Sequence, residues 1–217
     1  MSERDDRLVS DPLGRQGGQE AVLGVILAGG ASRRYGQDKA LAMLGSVPLL
    51  QRVVDRLLPQ VSELAISGEI RPSFALQAIA DEQPNAGPLA ALCSILIWAE
   101  RKGFPLVMTL SCDTPFVPRD IAAVLRKALE DYDCAVARRN GTVHPTCALW
   151  KTASRVGIET AFNSGVRSLL GAISCLNAIA VDFSIGDGPG GDPFFNINSQ
   201  PDMAVAQHWL EEGHQPG

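Results

Sequence analysis

Residues 21–39 read AVLGVILAGGASRRYGQDK, and the stretch changes character at Gly29. The apolar run from Ala21 stops at Gly29-Gly30, which predicts a strand buried on both faces of a parallel sheet. Two adjacent glycines past such a strand let the backbone approach a ligand and present N–H groups to it. Arg33, Arg34 and Lys39 add cationic donors suited to phosphate oxygens. The stretch contains neither GxGxxG nor GxxxxGK[ST], so it is neither a dinucleotide fingerprint nor a Walker A loop. Three glycines, two arginines and a lysine between Leu27 and Lys39 read instead as a triphosphate-binding loop.

Working outward, PLLQRVVDRLLPQ (48–60) has helical spacing, with Leu49, Leu50, Val53, Val54, Leu57 and Leu58 on one face. ELAIS (63–67) and ALQAIAD (75–81) read as strands, PLAALCSILIWAERK (88–102) as a helix and PLVMTLSCD (105–113) as a strand. PRDIAAVLRKALED (118–131) reads as a helix with Pro118 near its start and Asp120 in its first turn. CAVAR (134–138) and TCALW (146–150) are short strands. Helices near 151–162 and 166–173, a strand near 178–183 and a helix near 201–211 complete the chain. Such alternation predicts an α/β fold: a three-layer, Rossmann-like sandwich with a mostly parallel central sheet and helices on both faces. Residues 1–19, polar and without periodicity, read as a flexible N-terminal extension, and 20–217 as a single domain.

Composition narrows the function class. With 19 basic and 24 acidic side chains the formal net charge is −5, so no basic excess favours nucleic acid. No apolar run reaches the ~18–20 residues of a membrane span, and the N-terminus lacks the apolar core of a secretory signal. Five widely spaced cysteines without a CxxC pair fit reduced packing thiols in a cytoplasmic protein.

In open α/β sheets ligands bind beyond the carboxyl ends of the strands, so the residues there are the site candidates. Asp81 follows one strand and can accept hydrogen bonds from a base or ribose. Gly87-Pro88 then makes a tight turn into a helix near Leu89. At the tip of another strand, Asp113 supplies the carboxylate a hard divalent ion needs beside phosphates. Cys112, its neighbour, reads as a packing residue. Further along stand His144 before Pro145, and Arg167. Asn196 and Asn198 alternate along an extended segment, so both amides project to one face. Ser199 can cap the helix that follows.

Taken together these strings carry a family resemblance. LAGG (27–30), Ser32, Arg34, Gly36 and Asp38-Lys39, followed by Pro48-Leu49-Leu50, resemble the signature of nucleoside-triphosphate transferases. Asp81 with GPLAAL (87–92), CDTPFVP (112–118), GTVHPTCALW (141–150), Gly165 and Arg167, and DPFFNINSQPDM (192–203) resemble the molybdenum cofactor guanylyltransferases in particular. The likeness spans about residues 22–210. Tyr35, Ala91, Ser111 and Ser199 depart modestly from the usual residues. Ser67 and Glu69 stand where the family usually shows Asn near the guanine.

The resemblance implies the nucleoside-diphospho-sugar transferase type of fold and transfer of GMP from GTP to Mo-molybdopterin with release of pyrophosphate. It implies nucleotide binding by Leu27, Ala28, Gly29, Gly30, Arg34, Lys39, Ser67, Asp81, Gly87, Pro88 and Leu89, with Arg34, Lys39 and Asp113 catalytic. It further implies Mg²⁺ on Asp113, and an acceptor site formed by His144, Arg167, Asn196 and Asn198. Transient contacts with molybdenum cofactor synthesis proteins and target molybdoenzymes are expected. A cytidylyltransferase or sugar-phosphate nucleotidyltransferase of the same fold, or a non-catalytic cofactor carrier, remains the alternative.

Overall fold

A computed structural model describes residues 20–28, 38–68, 71–184 and 186–213. Gly29, Gly30, Arg33, Arg34, Tyr35, Glu69 and the expected extension at 1–19 lie outside the described residues. In chain order the elements are β1 (Val22–Leu27), β2 (Met43–Leu44), β3 (Val47–Pro48), α1 (Leu49–Leu57), β4 (Glu63–Ser67), β5 (Gln77–Ile79) and α2 (Pro88–Arg101). Then come β6 (Leu106–Ser111), α3 (Ile121–Leu129), β7 (Cys134–Arg139), β8 (Thr142–Lys151), α4 (Arg155–Asn163), α5 (Leu169–Ile173), β9 (Ala178–Asp182) and α6 (Gln200–Glu211).

Seven strands form one sheet in the order β5-β4-β1-β6-β8-β7-β9. Every pairing within it is parallel except those of β8, which runs antiparallel to both β6 and β7. The apolar run is buried on both faces of the sheet, as its continuity requires. Val22 and Ile26 face one core with Leu50, Val53 and Leu57 of α1 and Ile121 and Leu125 of α3. Leu23 and Val25 face the other with Leu92, Ile95 and Leu96 of α2, Ile158 of α4 and Ala172 of α5. Gly24 sits where a Cβ would meet Leu64 Cδ1 at 2.9 Å, so a side chain there would have to displace the tip of Leu64.

Local details correct the sequence reading. Leu58 is 52% exposed, because α1 gives way to a 3-10 turn there. Its expected place on the buried face goes to Arg56, 3% exposed, which donates to the Val117 carbonyl at 2.6 Å and to Asp187 at 3.2 Å. α3 begins at Ile121, so Asp120 is its N-cap residue and Pro118 lies outside. TCALW is the end of a longer strand that turns back from β7 through Asn140-Gly141, both at positive φ, which matches a tight Asn-Gly hairpin turn. The short β2–β3 hairpin has no counterpart in the sequence reading. Its Leu44, with Leu49, Phe116, Ile197 and Met203, forms a third core that fastens α6 and the segment before it to the sheet's carboxyl edge.

Candidate functional site

The register of the parallel strands sets the site. Ile79 pairs with Ser67, Ser67 with Leu27, and Leu27 with Ser111, so β5, β4, β1 and β6 end on one line. Ser67 is buried, and its carbonyl accepts from the Ala28 amide at 3.3 Å. The Leu27 carbonyl accepts from the Cys112 amide at 3.2 Å, which carries the chain past β6 directly to Asp113.

Lys39 and Asp113 meet over this line. The Lys39 Nζ donates to Asp113 Oδ2 at 2.7 Å and to Asn198 Oδ1 at 2.8 Å. Their side chains are 12% and 15% exposed, so the pair is shielded yet reachable. The Ile197 amide donates to the Asp113 carbonyl at 2.9 Å and holds the 196–198 segment in place. Three stretches remote in sequence thus converge on one ammonium. Asp113 Oδ1 is buried and has no hydrogen-bond partner among the described residues. A carboxylate oxygen left open in this way suits a hard cation, which takes one or two carboxylates and draws its other ligands from water and phosphate. Among the described residues no group of three or more His, Cys, Asp or Glu could hold a metal. A divalent ion here would therefore depend on Asp113 and on substrate oxygens.

Cys112 lies among Asp113, Lys39, Arg71 and Asp38. Burial first, and Asp113 second, push its thiol up to about 12. It stays protonated near neutral pH and is a poor nucleophile, as expected of a packing residue.

The remaining candidates fall into two groups. Among the residues expected to bind the nucleotide, Asp81 Oδ1 accepts from the Gln83 amide at 2.9 Å in a turn beyond β5. Gly87 holds φ +95° with the Arg167 carbonyl 3.1 Å from the position a Cβ would take, so glycine is required there. Pro88 opens α2. Leu89 is fully buried and its amide donates to the Arg167 carbonyl at 3.2 Å, so it shapes the turn from inside the core. Arg167, expected to bind the acceptor, packs against this turn. Its guanidinium packs 4.4 Å from the Phe162 ring centre and donates to the Phe162 carbonyl at 2.6 Å.

Among the residues expected to bind the acceptor, His144 stacks on Phe194 at 4.5 Å between ring centres, and Phe183 meets Phe194 edge-on at 5.3 Å. A bulge places His144 there: the β7–β8 register jumps from Val136↔Ala148 to Ala137↔His144, leaving Pro145–Cys147 out of the ladder. Pro145 has no N–H to lose at that point. Desolvation lowers the His144 pKa, Arg139 adds to the shift and Asp192 opposes it. Asn196 is exposed. Asn198, read as an acceptor ligand, is engaged with Lys39. The sequence reading missed Arg71, whose guanidinium bridges Asp38 and the Ala28 carbonyl. Its position just past the tip of β4 was the available signal.

Known proteins are similar to this chain in sequence and in fold. Residues 24–176 match the MobA-like NTP transferase domain. A molybdenum cofactor guanylyltransferase of Cereibacter sphaeroides is 38% identical over 88% of this chain and 98% of its own. One from Rhizobium leguminosarum bv. trifolii is 36% identical over 89% and 95%. The crystal structure of molybdopterin-guanine dinucleotide biosynthesis protein A from Archaeoglobus fulgidus superposes with a TM-score of 0.69 at 20% identity, covering 88% of this chain and 99% of that one. A 2-C-methyl-D-erythritol 4-phosphate cytidylyltransferase from Thermus thermophilus shares the fold, with a TM-score of 0.62 at 18% identity over 86% and 98%.

Proposed function

The chain belongs to the MobA-like NTP transferase family, and from that premise we propose that it transfers GMP from GTP to Mo-molybdopterin, forming molybdopterin guanine dinucleotide and pyrophosphate. The observation that carries the residue assignment is the convergence of Lys39, Asp113 and Asn198 at the carboxyl edge of β1 and β6. An acceptor phosphate oxygen attacks the α-phosphorus in line, the bond to the β-phosphate bridging oxygen breaks, and pyrophosphate leaves. Catalysis of this kind is mainly positioning and electrostatics. Lys39 supplies positive charge to the triphosphate, together with Arg34 and the Gly29 and Gly30 amides outside the described residues. Asp113 would hold Mg²⁺ through Oδ1. An ion held there would supply positive charge to offset that of the departing pyrophosphate.

Leu27, Ala28, Ser67, Asp81, Gly87, Pro88 and Leu89 form the nucleotide half in this reading, and Leu89 acts through the backbone turn it anchors. His144, Arg167, Asn196 and Asn198 form the acceptor half in this reading. Residues 20–217 then act as a single domain, nucleotide-binding in its N-terminal half and acceptor-binding in its C-terminal half. All five cysteines are free thiols, which supports a cytoplasmic setting. Among the described residues no helix is long and apolar enough to cross a membrane. Membership of the family supports transient contact with cofactor-synthesis proteins and target molybdoenzymes.

The test is pyrophosphate release from Mo-molybdopterin and Mg²⁺ with GTP, CTP, ATP or UTP in turn. Release with GTP alone is expected. Preference for CTP would move the protein to a sister specificity. No release with any nucleotide would favour a carrier.

A further inference from the structure

Arg71 stands four residues past the tip of β4, at the start of the 3-10 turn Pro72–Phe74. Its Nε donates to Asp38 Oδ2 at 2.9 Å and its Nη2 to Asp38 Oδ1 at 3.2 Å, a two-pronged grip on one carboxylate. The same Nη2 donates to the Ala28 carbonyl at 3.0 Å. Ala28 is the first residue beyond β1, and Asp38 immediately precedes Lys39. One guanidinium therefore ties the tip of the central strand to the residue that precedes Lys39.

Asp38 passes the constraint on. Its Oδ1 accepts from the Ala40 amide at 3.1 Å and its carbonyl from the Leu41 amide at 2.9 Å, so it caps the short turn Lys39–Leu41. Lys39 leaves that turn for Asp113 and Asn198. The Arg71 side chain is only 11% exposed, and a shielded forked pair of this kind fixes geometry that a lysine cannot reproduce. The charge balance points the same way. Asp38 and Asp113 flank Lys39 on the rim where a polyphosphate would lie, and an unpaired Asp38 carboxylate would repel it. Arg71 cancels that charge.

We propose that Arg71 is a positioning residue for nucleotidyl transfer, which orients Lys39 through Asp38 and removes the Asp38 charge from the path of the triphosphate. The proposal rests on the transferase reading of the site. It is tested on the full chain with Arg71→Met, Arg71→Lys, Asp38→Asn and the double variant Arg71→Met/Asp38→Asn. Each is first checked for a cooperative melt. Asn keeps the cap on the Lys39–Leu41 turn but carries no charge.

Arg71→Met is expected to lower kcat/KM for GTP about 10–100-fold, the range for loss of a charge-assisted hydrogen bond. Arg71→Lys should recover only part of this. The double variant should regain at least about threefold over Arg71→Met, because the uncompensated carboxylate is gone. A purely structural role would instead lower the melting temperature and give a double variant no better than Arg71→Met. Calorimetric binding of Mg–GTP across the series should follow the same order. Activity and binding of Arg71→Met within twofold of wild type would overturn the proposal, as would a double variant without recovery. If Arg71→Met does not fold, Arg71→Lys decides: about 3–10-fold weaker supports the proposal and no change overturns it. Absence of pyrophosphate release by the wild type would overturn the transferase reading, and the binding series would still judge Arg71.

Discussion

Lys39 and Asp113 hold each other at 2.7 Å, and each also makes or leaves open a second contact. Lys39 donates to Asn198 as well, and Asp113 keeps Oδ1 free of any hydrogen bond among the described residues. Losing one preorganised electrostatic group at a reacting centre typically costs ~10²–10³ in rate. Lys39→Ala and Asp113→Ala should each lower kcat by about that factor with the circular-dichroism spectrum intact, and near-normal turnover in either would dismiss the assignment. His144 gives a pH signature. Its pKa is lowered in the fold by desolvation, so the native state favours the neutral ring. The unfolded chain, at the ordinary 6.5, binds the proton more readily. The contribution is therefore complete above pH 6.5 and is lost as pH falls through that value toward the lower native pKa. Melting temperatures taken from pH 7 down to pH 5 should fall more steeply for the wild type than for His144→Gln, and parallel curves would remove His144 as the cause. At this scale the sequence supplied Lys39 and Asp113, because Lys39 closes the glycine- and arginine-bearing stretch after β1 and Asp113 stands two residues past β6. It did not supply Arg71, because the partners of Arg71 are 33 and 43 residues away.

At the scale of elements, caps and turns decide how the site is presented. Ser199 caps α6: its side chain accepts from the Asp202 amide at 3.3 Å, while Asp202 Oδ2 accepts from the Ser199 and Asn198 amides at 2.8 and 3.0 Å. Ser199→Ala should cost about 1 kcal/mol. In a chain of this length that lowers the melting temperature by roughly 2–4 °C. Arg56 is a stronger internal tie, since without it the Val117 carbonyl loses its donor in a buried position. Arg56→Met should cost about 1–3 kcal/mol in a denaturant titration, and an unchanged midpoint would show that water replaces the guanidinium. The capped helix was legible, because Ser followed by Pro and Asp three residues on is a local code. The β7–β8 hairpin is legible in principle from Asn140-Gly141, although the apolar pattern alone shows two unconnected strands. The bulge at Pro145 was not legible, because a register jump exists only between two strands.

For the whole molecule, the aligned tips of β5, β4, β1 and β6 make a ledge on which a nucleotide can lie, and the third core brings the 196–198 segment over it from the far end of the chain. A ligand that binds only the folded state stabilises it by mass action. Mg–GTP at about 100 times its Kd should therefore add about 2.7 kcal/mol, seen as a rise in melting temperature that CTP at the same concentration does not produce. The sequence by itself determined the α/β architecture, the buried β1, the helices on both faces and the candidate strand tips, because hydrophobic period and glycine placement act over a few residues. It also carried the family motifs. Only the tertiary structure decided that β8 runs antiparallel, that Arg56 and not Leu58 is buried, that Arg167 packs beside Gly87, that Asn198 engages Lys39, and that Arg71 grips Asp38. Each of these is a pairing between residues distant in sequence. Its free energy depends on geometry fixed only after the sheet and its three cores have assembled.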